Sequence, residues 1–279
     1  MDSTTFLFVS PHLDDAIFSC GGYAYQLASA GQRVIIATFV TADASGGSAL
    51  SSAARRDLRC WGGGRAIFAR RCSEDVEAAE ALGASTAHLG LLDATYRQDE
   101  NHQFLYADSV LAAPVHSHDV RVFKPAAQRA LAALLLQYSD QTLTVVCPLS
   151  IGGHVDHRII RQVVEALTSP HQRLYYEDFP YALHGSSTTL TSDLAPITIK
   201  LRAGDVEARL AACASYRSQL PTLFHARLDI PHLIRRRFSW LAPLAPVSMS
   251  LAGATRRMRN TICEHIQQID GECYWKTKS

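Results

Sequence analysis

The chain has 279 residues, 47% of them apolar, with 27 Lys+Arg against 26 Asp+Glu. A chain of this size buries enough surface to fold without disulfides or a structural metal. Its near-zero charge and ordinary apolar content exclude a non-specific nucleic-acid binder and a disordered chain. No apolar run nears the ~20 residues of a membrane span. Met1–Val9 carries Asp2 and no basic stretch, which argues against a signal peptide. The seven cysteines are odd in number and none has CxxC spacing, so reduced thiols and a cytoplasmic location are expected.

The elements follow in chain order. Thr4–Ser10 (TTFLFVS) reads as a buried strand, Asp14–Ala30 as a helix stopped by Gly31, and Arg33–Thr41 (RVIIATFVT) as a second strand. That order is a βαβ unit with parallel strands. Ala42–Ser52 is small and polar and reads as loop. Trp61–Gly64 adds a glycine-rich break, Ala69–Leu82 is helical up to Gly83, and His88–Leu92 is a short strand. Asp93–Asp119 is irregular. Pro125–Tyr138 is a helix with Pro in its first turn, Thr142–Cys147 (TLTVVC) a buried strand, Asp156–Thr168 a helix and Arg173–Glu177 strand-like. The alternation predicts an α/β fold with helices on both faces of a mostly parallel sheet. Residues 1–200 hold 15 basic and 20 acidic residues, whereas 201–279 hold 12 and 6. One domain is expected, its C-terminal part either a small basic lobe or helices packed on the same sheet.

Two clusters carry chemistry. Pro11-His12-Leu13-Asp14-Asp15 follows the first strand, and Gly152-Gly153-His154-Val155-Asp156-His157 follows the strand ending at Cys147. In open α/β sheets, ligands bind beyond the carboxyl ends of strands. Two histidines and one carboxylate form a common catalytic zinc set with a position left for water. Each cluster also has a plain reading, since Asp is favoured at a helix start in any case. Two such clusters, each behind a strand end, favour the metal.

SPHLDDAIFSCGG and GGHVDHR resemble the two signature blocks of the PIG-L/LmbE family of zinc-dependent de-N-acetylases. The usual first block is PHPDDE; here Leu13 and Ala16 replace its Pro and Glu, neither a metal ligand in the family. Arg71-x-x-Glu74, Leu92-Asp93, Tyr216-x-Ser218-Gln219 and Glu272-x-Tyr274-Trp275 resemble weaker landmarks, extending the likeness over residues 4–275. The resemblance implies a Rossmann-like three-layer sandwich and a zinc-activated water. His12, Asp15 and His157 would be the ligands and Asp14 the general base. His154, if protonated, would stabilise the oxyanion, and Asp156 would orient a histidine. Arg71, Asp93 and Arg97 would contact substrate. The implied partner is a small N-acetylated sugar or glycoconjugate. Because a His2Asp set also accepts Fe2+, Mn2+ or Co2+, the metal need not be zinc. The alternative is a catalytically silent sugar-binding protein of the same fold.

Other signals are weaker. His116-Ser117-His118-Asp119 lacks the register of HxHxDH and reads as a solvated loop. Gly62–Gly64 lacks a P-loop Lys, no dinucleotide glycine fingerprint exists, and no GxSxG elbow is present. Arg235-Arg236-Arg237 is the most basic stretch, suited to a solvated face or to an anionic group. The sequence fixes no oligomeric state.

Overall fold

The computed structural model describes residues 4–46, 49–64, 66–107, 109–183, 191–224 and 250–278. Strands β1 (Thr5–His12), β2 (Arg33–Val40), β3 (Ser85–Leu91), β4 (Leu143–Pro148), β5 (Arg173–Tyr176), β6 (Leu194–Ile199) and β7 (Glu272–Thr277) form one sheet in the order β3-β2-β1-β4-β5-β7-β6. The first five pair in parallel, and β7 is antiparallel to both β5 and β6.

Period-two side chains explain the layers. Phe8, Val34, Ile36 and Val146 face one core together with α1 (Asp15–Ser29), α3 (Ile67–Ala81), α7 (Ala203–Ala214) and the last helix. Leu7, Val9, Ile35, Ala37, Val145 and Cys147 face the other, covered by α5 (Phe123–Leu136) and α6 (Val155–Leu167). Both faces of the central strands are thus buried, which is why they read as continuous apolar runs. The remaining described helices are α2 (Ser52–Cys60), α4 (Ser117–Arg121), α8 (Leu220–Leu223) and α9 (Leu251–Ile269).

Several elements depart from the sequence expectation, among them β6 and α4, which were not foreseen. Helix α2 begins where only loop was expected, capped by the Ser51 hydroxyl, which accepts from the Ala54 N–H. Residues beyond 200 supply strand β7 as well as helices, so they belong to the sheet itself. The stretch Arg235–Trp240 lies outside the described residues.

The C-terminal part is tied to α1 by a buried ion pair. Helix α1 is broken at Cys20 (φ −138°, ψ 21°). The Gly22 and Tyr23 N–H groups beyond the break donate to the Glu272 carboxylate at 3.0 Å each. Arg209 donates to the Phe18 carbonyl and, at 3.0 Å, to Glu272. The orphaned backbone groups of the break are therefore satisfied from α7 and β7. A Cβ at Gly22 would come within 2.5 Å of the Leu201 side-chain tip and 2.8 Å of the Glu272 carboxylate, so a larger residue would displace one of them.

Candidate metal centre and active site

Strands β1 and β4 lie side by side, but β1 continues towards β2 and β4 towards β5. This is the point where strand order reverses, and the crevice at its carboxyl end is the usual ligand site. Both sequence clusters emerge there. After His12 the chain turns sharply through Asp14, whose φ of 137° is strained for a residue with a Cβ. Ser10 braces the turn: its hydroxyl donates to the His12 carbonyl at 2.6 Å and accepts from the Ala16 N–H at 3.0 Å. On the other side, Gly152 (φ 86°) and Gly153 (φ 68°) carry the chain from β4 to His154, which caps α6. A Cβ on Gly152 would lie 2.8 Å from the Tyr181 ring.

These turns bring three donors around one point. His12 Nδ1 lies 3.0 Å from Asp15 Oδ2, and His157 Nε2 lies 3.2 Å from the same oxygen. Two ligands of a tetrahedral zinc are about 3.3 Å apart, given bonds near 2.0–2.1 Å. His157 Nε2 is buried yet makes no hydrogen bond, despite its nearness to Asp15. Side chains aimed at a shared third point have this geometry, and the donor set suits a divalent metal. The ring nitrogens of His12, His154 and His157 also lie within 4.8 Å of one another. A second cluster of His12, Asp93 and Asp156 meets the same distance, but Asp156 already accepts from His12, Ala94 and Arg97.

The outer nitrogens of His12 and His157 are held by carboxylates. His12 Nε2 donates to Asp156 Oδ2 at 3.1 Å. Asp156 in turn accepts from the Ala94 N–H at 3.3 Å and from Arg97 Nη2 at 2.5 Å, and Arg97 also meets Asp119 at 3.0 Å. His157 Nδ1 donates to Asp178 at 2.6 Å, and Asp178 also accepts from the Ile151 N–H at 2.9 Å. Such partners fix the ring orientation and raise ligand basicity. Burial works against charge here, but Arg97 and then the His12 hydrogen bond outweigh it and hold Asp156 well below the usual carboxylate range. Burial likewise opposes an imidazolium at His157, yet Asp15 and Asp178 push it up to about 9.

Asp14 and His154 flank the donors. Burial, then the neighbouring Asp15, push the Asp14 carboxyl up to about 8 against the pull of Arg71 and His12. Burial and the nearby His12 push His154 down to about 3. Its Nδ1 accepts from the Asp156 N–H at 3.2 Å. With Nδ1 accepting, a neutral His154 would carry its proton on Nε2.

Beside the donors a cleft is walled by Leu13, Trp61, Phe68, Arg71, Asp93 and Tyr96. The Arg71 guanidinium lies 4.1 Å over the Trp61 ring. Asp93 uses Oδ1 to accept from Thr95, at 2.8 Å from its N–H and 2.7 Å from its hydroxyl, while Oδ2 lies 3.8 Å from His12. Arg71 and Asp93 both line this cleft. Arg97 does not: it is buried behind His12, committed to Asp156 and Asp119, and away from the cleft. Asp119, expected in a solvated loop, is fully buried at the end of that chain and accepts from the Tyr106 hydroxyl at 2.8 Å. Sequence reasoning missed Asp178 and Asp119. A carboxylate just past the end of β5, beside β4, was the available signal for Asp178.

Comparison with known proteins matches residues 7–168 to the GlcNAc-PI de-N-acetylase (PIG-L) family. The chain belongs to the PIG-L family. The matched span contains both PIG-L motifs, the cleft residues Arg71 and Asp93, and Arg97; Asp178 and Glu272 lie beyond it. One relative, 2'-N-acetylparomamine deacetylase of Streptomyces fradiae, is 30% identical over 240 residues, 81% of this chain and 79% of its own. Another of the same description, from Niallia circulans, is 28% identical over 192 residues, 64% and 68% of the two chains. The fold matches the zinc-inhibited form of teicoplanin deacetylase Orf2 with a TM-score of 0.72 at 24% identity, covering 97% of both chains. Among the described residues no helix is long and apolar enough to cross a membrane.

Proposed function

We propose that this PIG-L protein is a metal-dependent N-deacetylase that removes an acetyl group from an N-acetylglucosamine-like sugar in a glycoconjugate or small metabolite. The observation that carries the reading is the convergence of His12, Asp15 and His157 Nε2, a buried nitrogen 3.2 Å from Asp15 with no well-formed hydrogen bond, on one point, with Asp14 beside them. The S. fradiae and N. circulans relatives, each described as a 2'-N-acetylparomamine deacetylase, support the reaction class.

His12, Asp15 and His157 would hold the ion, as zinc or as Fe2+, Mn2+ or Co2+. When bound, it supplies Lewis-acid polarisation of the amide carbonyl and a more acidic water. Asp14 accepts the proton of the attacking water as general base. His154 Nε2–H donates to the oxyanion that develops on the carbonyl oxygen. Asp14, now protonated, returns the proton to the departing nitrogen, giving acetate and a free amine. Arg71 and Asp93 orient the sugar, while Arg97 acts through Asp156 by aligning His12.

Acetate release from a panel of N-acetylated sugars, with and without chelator, tests the reading. Turnover that stops with chelator and returns on adding a divalent metal is expected. Sugar binding without acetate release in the metal-loaded protein would replace the enzyme by a binding protein.

A further inference from the structure

We propose that segment 110–113, together with the Arg158 side chain, is a clamp that aims the His154 ring at the reacting carbonyl, with Ala112 and Arg158 as positioning residues. The inference rests on the deacetylase reading for what His154 does, and it traces the aim of that ring to a loop outside both motifs.

His154 lacks the support that its neighbours have. The outer nitrogens of His12 and His157 each rest on a buried carboxylate. Among the described residues, the His154 ring has one hydrogen bond, from the Asp156 N–H to Nδ1 at 3.2 Å. The ring lies against those of His12 and His157, with centroids 4.7 and 5.2 Å away. No side chain holds either of its nitrogens among the described residues, so its aim follows the backbone from which it springs. That backbone is compliant by itself. Ser150 (φ 69°), Gly152 (φ 86°) and Gly153 (φ 68°) put three left-handed residues into the four before His154. Glycine offers little resistance to backbone rotation.

Segment 110–113 supplies the missing constraint. The Ala112 N–H donates to the Gly153 carbonyl at 3.1 Å, and the Val155 N–H donates to the Val110 carbonyl at 3.0 Å. The residues on both sides of His154 are thus tied to one loop. The second tie also satisfies a first-turn N–H that α6 itself leaves free. Arg158, in the first turn of α6, donates from Nη1 to the Ala113 carbonyl at 2.8 Å. A Cβ on Gly153 would lie 3.4 Å from Ala112 Cα, so the two backbones are in contact. The loop is itself held. Ala112 keeps a φ of 55°, which a residue with a Cβ adopts only where its surroundings over-determine it. Val110 and Ala113 pack on the buried cluster of Val155, Tyr106 and Ala94. The Tyr106 hydroxyl accepts from the His116 N–H at 2.9 Å and donates to Asp119 at 2.8 Å. The three ties end on residues 153, 155 and 158, and none on the turn at His12–Asp15 or on Asp178. Loosening the loop therefore disturbs His154 and spares the proposed metal ligands. A donor aimed at a developing oxyanion is worth about 10²–10³ in kcat, and a misplacement of about 1 Å can cost about 10².

The test uses the zinc-loaded protein and a glycoside of N-acetylglucosamine. Arg158→Met keeps the apolar stem and removes the donor, and Arg158→Lys returns one. Ala112 is exposed, so Ala112→Val strains the backbone without touching the core. Each change is also combined with His154→Ala. Arg158→Met and Ala112→Val are each expected to lower kcat about tenfold, with KM and zinc affinity within about threefold of wild type. Arg158→Lys should recover most of the loss, and neither change should lower kcat further once His154 is Ala. In 1H–15N spectra the His154 ring signals should move in Arg158→Met and Ala112→Val and return in Arg158→Lys, while those of His12 stay in place. Wild-type kcat in both folded variants, a tenfold fall that persists on His154→Ala, or unmoved His154 signals would overturn the proposal. Moved and restored His154 signals in a protein whose wild type releases no acetate uphold the clamp and overturn only the deacetylase reading.

Discussion

Replacing Asp178 isolates the support of one metal ligand from the ligand itself. The Asp178 carboxylate accepts from His157 Nδ1 at 2.6 Å and from the Ile151 N–H at 2.9 Å, and both Asp178 and His157 are 1% exposed. Asn keeps the volume, but its single oxygen serves one donor and its amide group faces the other. Loss of an outer partner of a metal-bound histidine weakens metal binding about 10–100-fold. That is about 1.4–2.7 kcal/mol. Leaving the Ile151 N–H unpaired costs a further ~1–3 kcal/mol of fold stability. Asp178→Asn should therefore lower both the thermal midpoint of the metal-free protein and its zinc affinity, the latter measured by competition with a chromogenic chelator. Ile262→Val, a core change in α9 worth about 0.5–1.5 kcal/mol, serves as the stability control and should leave zinc affinity unchanged. Zinc affinity in Asp178→Asn within threefold of wild type would refute the orienting role.

Three further predictions follow from the same coordinates. Asp14→Asn, which tolerates the positive φ, should keep full metal content while kcat falls about 10²–10⁴-fold; near-normal turnover at full loading would remove Asp14 as the base. His88 donates to the buried Asp75 at 2.8 Å, and the contacts with Asp75 and Cys72 raise its pKa from 6.5 to about 9. Its contribution is full below pH 6.5 and is lost as pH rises through 9, so the stability gap between wild type and His88→Gln should shrink by up to about 3 kcal/mol across that window in urea titrations. A gap independent of pH would contradict the pairing. Gly271→Ala should cost about 3 kcal/mol or more, because φ is 146° and the new Cβ would sit 2.2 Å from the Ile199 carbonyl oxygen; an unchanged melting midpoint would show that the turn into β7 yields.

The parallel half of the sheet was legible because β1, β2 and β4 are buried on both faces and so read as unbroken apolar, β-branched runs. Strand β6 escaped notice because it alternates in burial and holds Pro196, and β7 because Glu272 and Lys276 make it look like surface. Helix α2, SAARRDLRC, buries little beyond Ala53 and Ala54 and carries no long apolar stripe. The donors His12, Asp15 and His157 were legible because their chemistry is concentrated in two short motifs after strands. Asp178 and Asp119 were not, because their role depends on which loops the fold brings behind each ring. Arg97 was misplaced for the same reason. Charge and position in the sequence fit a substrate contact, whereas burial and two carboxylate partners commit it to the interior.

The break in α1 at Cys20 has a consequence for the order of assembly. The helix that begins at Asp15 is held at its midpoint by Arg209 and Glu272, so its interior is finished by residues made some 190 and 250 positions later. A nascent chain that already contains both metal motifs still has an open gap in its first helix. It also has a bare edge on β5, since β6 reaches the sheet only through β7. Unpaired edges of this kind recruit other strands. Competence to bind the proposed metal is therefore expected to arrive with the last strand, as a late step in biogenesis, although every proposed ligand has been synthesised by residue 157.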